Sequence, residues 1–111
     1  MSTQPRPIDE LERTIADRAQ KPSEKSYTSK LLAGGVEAIG EKIVEESMEV
    51  VEAAREPGDA GRQHFVREVG DLVYHLMVLM RQQNCSLADV EAELNRRFGV
   101  SGLDEKASRK K

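Results

Sequence analysis

The stretch from Val36 to Arg55, closed by Pro57-Gly58-Asp59, constrains this chain more than any other. At about 100° per residue, Val36, Ile39, Ile43, Val50 and Ala54 share one stripe of a helix, and Val44, Met48 and Val51 form another beside it. Half of that helix is therefore apolar. This is wide for a helix that touches one neighbour, and it predicts packing both inside a protomer and against a partner chain. Gly61 to Asn84 reads as a further helix, apolar over most of its circumference through residues such as Phe65, Val69, Leu72, Leu76 and Leu79. Such a helix must be central.

Shorter elements surround these two. Ile8, Leu11, Ile15 and Ala19 recur at helical intervals until Pro22 stops the pattern, and Tyr27 to Leu32 is expected as a short helical turn broken by Gly34-Gly35. Ser86, with Asp89 three residues on, is an N-cap for a helix through Leu87, Val90 and Leu94 that Gly99 and Gly102 end. No segment of useful length carries the period of a strand. The expected fold is all-α, a helical bundle of four to five helices packed as a homodimer. With 111 residues there is one core to build, so residues 1–111 are read as a single domain, with 1–7 a loose leader and 110–111 a loose tail. Met48, Met77 and Met80 sit at apolar helical positions and are expected in the core.

Charge is more informative by place than in total. A net charge of −3 gives no general reason to bind nucleic acid, and 4% aromatic residues without tryptophan argue against a platform for stacking bases. From Val36 to Glu56 there are seven acids and two bases, whereas from Arg96 to Lys111 there are six bases and two acids. One segment can hold cations and the other anions. The single cysteine, Cys85, cannot form an internal disulfide, and the N-terminus lacks the basic start and apolar run of a secretory signal. The most apolar stretch, Val69 to Met80, is too short to span a membrane, which takes ~20 residues. A cytoplasmic protein without membrane contact is expected.

The acids fall into a pattern. Glu46 with Glu49, and Glu68 with Asp71, are each three residues apart, and such residues are neighbours on a helix surface. If the two helices run antiparallel, as a short Pro-Gly turn favours, the pairs can face each other. Four converging carboxylates repel unless protonated or neutralised by a cation, and hard oxygen ligands suit Mg²⁺ or Mn²⁺. Asp71 lies inside the most apolar stretch of the chain, where a buried acid is costly. Glu37, Glu41, Glu52 and Glu56 read instead as a solvated face, and Lys42 is placed to pair with Glu46.

Lys42-x-x-Glu45-Glu46-x-x-Glu49, followed after 18 intervening residues by Glu68-x-x-Asp71, resembles the metal site of the MazG-like all-α nucleoside triphosphate pyrophosphohydrolases. Three further segments, Ser26 to Leu31, Asp71 to Leu76 and Ser101 to Arg109, narrow the resemblance to the phosphoribosyl-ATP pyrophosphohydrolases, which act second in histidine biosynthesis. The likeness covers roughly Ile8 to Arg109. It implies Mg²⁺-dependent hydrolysis of phosphoribosyl-ATP, a small-molecule substrate, to phosphoribosyl-AMP and pyrophosphate by a homodimer or higher homo-oligomer. It also implies that Glu46, Glu49, Glu68 and Asp71 bind metal and that Glu45 orients or deprotonates the attacking water. Glu45 lies about 100° from Glu46 around the helix, so it can equally stand behind the ligands or be one of them.

Acids alone repel a polyphosphate, so basic groups must face it, and Lys30, Lys42, Lys106 and Arg109 are the candidates. His75, one turn beyond Asp71, reads as a satisfied core imidazole and His64 as a surface residue. Neither completes a zinc site, because there is no His/Cys cluster; the chain therefore has no ligands for the zinc-dependent cyclohydrolase that follows in the pathway and is expected to be monofunctional. Two other readings compete with this one. A general nucleotide pyrophosphohydrolase would use the same acids on other nucleotides and tolerate loss of Ser101 to Arg109. A helical dimerisation module would use none of them.

Overall fold

The structure, a computed structural model, describes residues 6–98, and these form four helices. Helix α1 runs Pro7–Gln20, α2 Tyr27–Ala54, α3 Gly58–Gln82 and α4 Leu87–Arg97. The all-α expectation holds for the described residues. Pro7 opens α1 at a position where a missing N–H costs nothing, with Asp9 and Glu10 in the first turn and Arg18 in the last, each on the favourable side of the helix dipole. Arg6 and Pro7 are thus the cap and first residue of a helix rather than part of a loose leader.

The segment from Tyr27 to Leu32 is helical, and Ser26 caps it by accepting the Ser29 N–H at 3.1 Å. Gly35, whose φ of 71° and ψ of −164° are not helical, interrupts it as the Gly34-Gly35 pair suggested. A second helical segment follows directly and runs to Ala54, so α2 is two helices joined at a sharp kink. Nothing lies within 4 Å of where a Gly35 side chain would project, so a substitution there meets backbone strain alone. Gly35→Ala is expected to lower stability by about 1–3 kcal/mol in chemical denaturation; a loss below a few tenths would show that the kink relaxes.

Helices α2 and α3 form the main packed pair, with α1 laid against both. The centre of the core is Ile15 from α1, Leu31 and Ile39 from α2, and Met77 and Val78 from α3. Met80 packs at its edge. Helix α4 is fixed at its start, where Ser86 and Asp89 form a reciprocal capping box and the Glu12 carboxylate accepts the Leu87 N–H at 2.7 Å. None of its residues is buried. It ends at Arg97, and the glycines expected to end it lie outside the described residues.

The two stripes of α2 separate. Ile39 and Ile43 enter the core, while Val44, Met48 and Val51 stay 62%, 60% and 52% exposed. Met48 is therefore not a core residue, and no described residue covers its stripe. Among the described residues no helix is long and apolar enough to cross a membrane.

Candidate functional site

The turn between α2 and α3 spans only Arg55 to Pro57, so the two helices fold back on each other and bring their acidic positions together. Gly58 enters α3 with a φ of 72°, and a side chain at Gly61 would run into the Glu56 backbone at 2.4 Å. Close approach at Gly61 thus fixes how α3 leaves the turn.

About two turns above, Glu46 from α2 and Glu68 and Asp71 from α3 each offer a carboxylate oxygen within 4.8 Å of the others. Glu46 and Glu68 are half-buried and Asp71 is exposed, so the acid inside the apolar run is not itself buried. The apolar residues around Asp71 occupy other faces of α3. Glu46 Oε2 and Glu68 Oε2 are shielded from water and have no hydrogen-bond partner. Two shielded carboxylate oxygens left unpaired beside a third carboxylate are what a hard divalent cation satisfies, and the donor set is all oxygen. The residues fit such an ion.

Protonation shows the strain of holding these acids together without one. Burial, then the neighbouring charge of Glu49, a hydrogen bond with Glu68 and the charges of Asp71 and Glu68, push the Glu46 carboxyl up to about 7. Hydrogen bonding to Glu68 raises Glu49, which belongs to the electrostatic cluster although it is not one of the three convergent ligands. Burial also acts to raise Glu68, but hydrogen bonds from Glu49, Glu46 and His64 outweigh it and leave Glu68 lowered.

The cationic candidates divide. Lys42 pairs with Glu45 at 3.3 Å, not with Glu46 as the helical spacing suggested, because Glu46 is turned into the carboxylate cluster. The Glu45 hydrogen bond and charge raise the Lys42 ammonium above its usual value. Lys30 is exposed near the start of α2, and Lys106 and Arg109 lie outside the described residues.

Two histidines complete the surroundings. His75 is buried, and its Nδ1 donates to the Asp71 carbonyl oxygen at 2.8 Å, which leaves Nε2 of the neutral ring to accept from the Tyr27 hydroxyl at 3.0 Å. It is the satisfied imidazole its position suggested. Tyr74 packs edge-on against His75 with ring centroids 4.9 Å apart, and its hydroxyl bonds Thr28, so the first turn of α2 is tied to α3 beside the acids. Burial raises the Tyr27 phenol, partly offset by Lys42. His64, by contrast, is more than a surface residue: its Nδ1 meets both oxygens of Glu56 at 2.9 and 3.0 Å, and its Nε2 meets Glu68 Oε1 at 3.2 Å. The Glu56 hydrogen bond leads in raising the His64 imidazole above its ordinary value. The four-residue spacing of His64 and Glu68 was readable; the reach to Glu56 across the turn was not.

A cleft of about 470 Å³ lies elsewhere, between α1 and the end of α3, lined by residues such as Glu12, Arg13, Met77 and Arg81. It shares no residue with the acidic cluster, and the chemistry argues for the cluster over the larger hollow: Glu12 is already committed to the Leu87 N–H.

An all-α bundle with carboxylates from two antiparallel helices converging on one point defines a class of helical proteins equipped to hold a divalent cation. Residues 8–98 match the family described as phosphoribosyl-ATP pyrophosphohydrolase. The phosphoribosyl-ATP pyrophosphatase of Rhodopirellula baltica is 57% identical over 103 residues, covering 93% of this chain and 86% of that protein. Those of Parvibaculum lavamentivorans and Nitrosospira multiformis are 50% and 48% identical, over 92% and 90% of this chain and 91% and 80% of their own lengths. The chain belongs to the phosphoribosyl-ATP pyrophosphohydrolase family and is an enzyme.

Proposed function

We propose that this protein hydrolyses phosphoribosyl-ATP to phosphoribosyl-AMP and pyrophosphate with Mg²⁺, or Mn²⁺ in its place, as a cytoplasmic homodimer in which residues 1–111 act as one domain. The observation that carries the reading is the convergence of Glu46, Glu68 and Asp71 with two shielded, unpartnered oxygens, in a chain of this family. Glu46, Glu49, Glu68 and Asp71 are assigned to the metal, with Glu49 approaching through its contact with Glu68 and Glu46. A bound divalent cation would neutralise polyphosphate oxygens and make a coordinated water more acidic.

The other roles belong to side chains. Glu45 lies on α2 next to Glu46 and is half-exposed, so its carboxylate is assigned to align a water and take its proton, with Lys42 paired to it at 3.3 Å. Lys42 and Lys30, on the same helix, are assigned to the phosphates together with Lys106 and Arg109, whose charges offset the repulsion between substrate and acids. Water adds either to the phosphorus on the nucleoside side of the broken anhydride, expelling pyrophosphate, or to its neighbour, expelling phosphoribosyl-AMP; in both cases one P–O bond forms, the anhydride P–O bond breaks, and the products are the same.

Pyrophosphate release from phosphoribosyl-ATP and from ATP, side by side with Mg²⁺ and with chelator, tests this directly. Metal-dependent turnover of phosphoribosyl-ATP alone is expected. Turnover of ATP without phosphoribosyl-ATP would favour the general nucleotide hydrolase, and a fully active chelated enzyme would remove the metal.

A further inference from the structure

The structure assigns His64 a task that rests on the metal reading above: it is a positioning residue that clamps one oxygen of Glu68 so that the other faces the cation. The two oxygens of Glu68 are in different situations. Oε1 meets His64 Nε2 at 3.2 Å, whereas Oε2 is shielded and has no partner. A carboxylate free to rotate would exchange them; one held at Oε1 keeps Oε2 on the shielded side, in the group that Glu46 and Asp71 complete. His64 is held in turn from its far side, where Nδ1 meets Glu56 Oε1 and Oε2 at 3.0 and 2.9 Å. Glu56 sits at the turn that Gly61 keeps in close contact. The chain of contacts therefore runs from the α2–α3 turn, through Glu56 and His64, to Glu68. Side chains that orient a metal-bound group from behind commonly change affinity by about 10–100-fold when removed.

The test is Mn²⁺ affinity of the full-length protein without nucleotide, followed by electron paramagnetic resonance, with thermal unfolding of the metal-free form as a check on folding. His64→Ala is expected to weaken Mn²⁺ binding about tenfold with little change in melting. His64→Gln, whose amide can still donate to Glu68 from one turn away, is expected to recover most of that loss. Glu56→Ala, which touches no member of the cluster, tests the same chain of contacts from its outer end and is expected to weaken binding a few fold. Unchanged or tighter binding in His64→Ala overturns the inference, since His64 would then act as a nearby positive charge or not at all. Failure of His64→Gln to recover affinity, or wild-type affinity in Glu56→Ala, overturns it as well. Wild-type protein that takes up no Mn²⁺ would instead bring down the metal reading, a distinct result.

Discussion

Glu46→Gln is expected to stabilise the metal-free protein while lowering Mg²⁺-dependent turnover by about 10³-fold, roughly 4 kcal/mol of transition-state stabilisation. The two effects have one cause. In the folded chain Glu46 is driven up to about 7 by burial and by its acidic neighbours, so at pH 8 it is ionised where charge is unwelcome. The amide keeps the size, removes the charge and can donate to Glu49 or Glu68. The gain in unfolding free energy should be about 1–2 kcal/mol at pH 8, less than the full linkage value because water still reaches part of the cluster. The sign of the pH dependence follows. A carboxyl whose folded value lies above its ordinary 4.5 binds protons more tightly when folded, so its contribution to stability declines as pH rises from about 4.5 to 7. Metal-free wild type should therefore melt at a higher temperature at pH 5.5 than at pH 8, and Glu46→Gln should flatten that difference. Mg²⁺ should reverse it in the wild type by binding the ionised form. A variant that melts lower than wild type at pH 8 without metal would mean that the cluster is held by attraction instead of crowded by repulsion. Full activity in the variant would move the metal away from Glu46.

Much of this site was legible because helical spacing is a local property. The i, i+3 pairs placed Glu46, Glu68 and Asp71 on facing sides before any coordinates, and the short turn made the two helices antiparallel. What depends on the choice between competing partners was not legible. Lys42 had Glu45 and Glu46 in reach and took Glu45, because the cluster on α3 drew Glu46 inward. Asp71 was expected to be buried from the apolar residues on either side of it, yet those residues face elsewhere around α3 and leave it exposed. His64 looked like a surface residue because its second partner, Glu56, comes from across the turn. The break at Gly35, by contrast, was legible: a Gly-Gly pair announces it, and Gly35 takes a φ of 71° between two helical segments. Lys106 and Arg109, expected at the phosphates, lie outside the described residues and remain part of the proposal.

Met48→Lys is expected to break the proposed homodimer, reducing the mass in solution to that of a single 12.4 kDa chain. Val44, Met48 and Val51 are each more than half exposed, aligned on one face of α2 and, among the described residues, uncovered by any other helix. Burying such side chains is worth about 1.5–3 kcal/mol apiece, and a two-fold contact would count each of them twice. A lysine ammonium in the middle of that contact carries a large desolvation cost. The helix itself should not suffer, since a cation at this position can pair with Glu45 or Glu52 at helical spacing. Loss of the dimer would therefore be separable from loss of the fold. Light scattering should report one chain instead of two, and melting should become independent of protein concentration. Turnover should fall with it if the second chain covers the site. An unchanged two-chain mass would place the contact elsewhere, with the exposed Val90 and Leu94 of α4 and Phe98 just beyond its end the next surface to test.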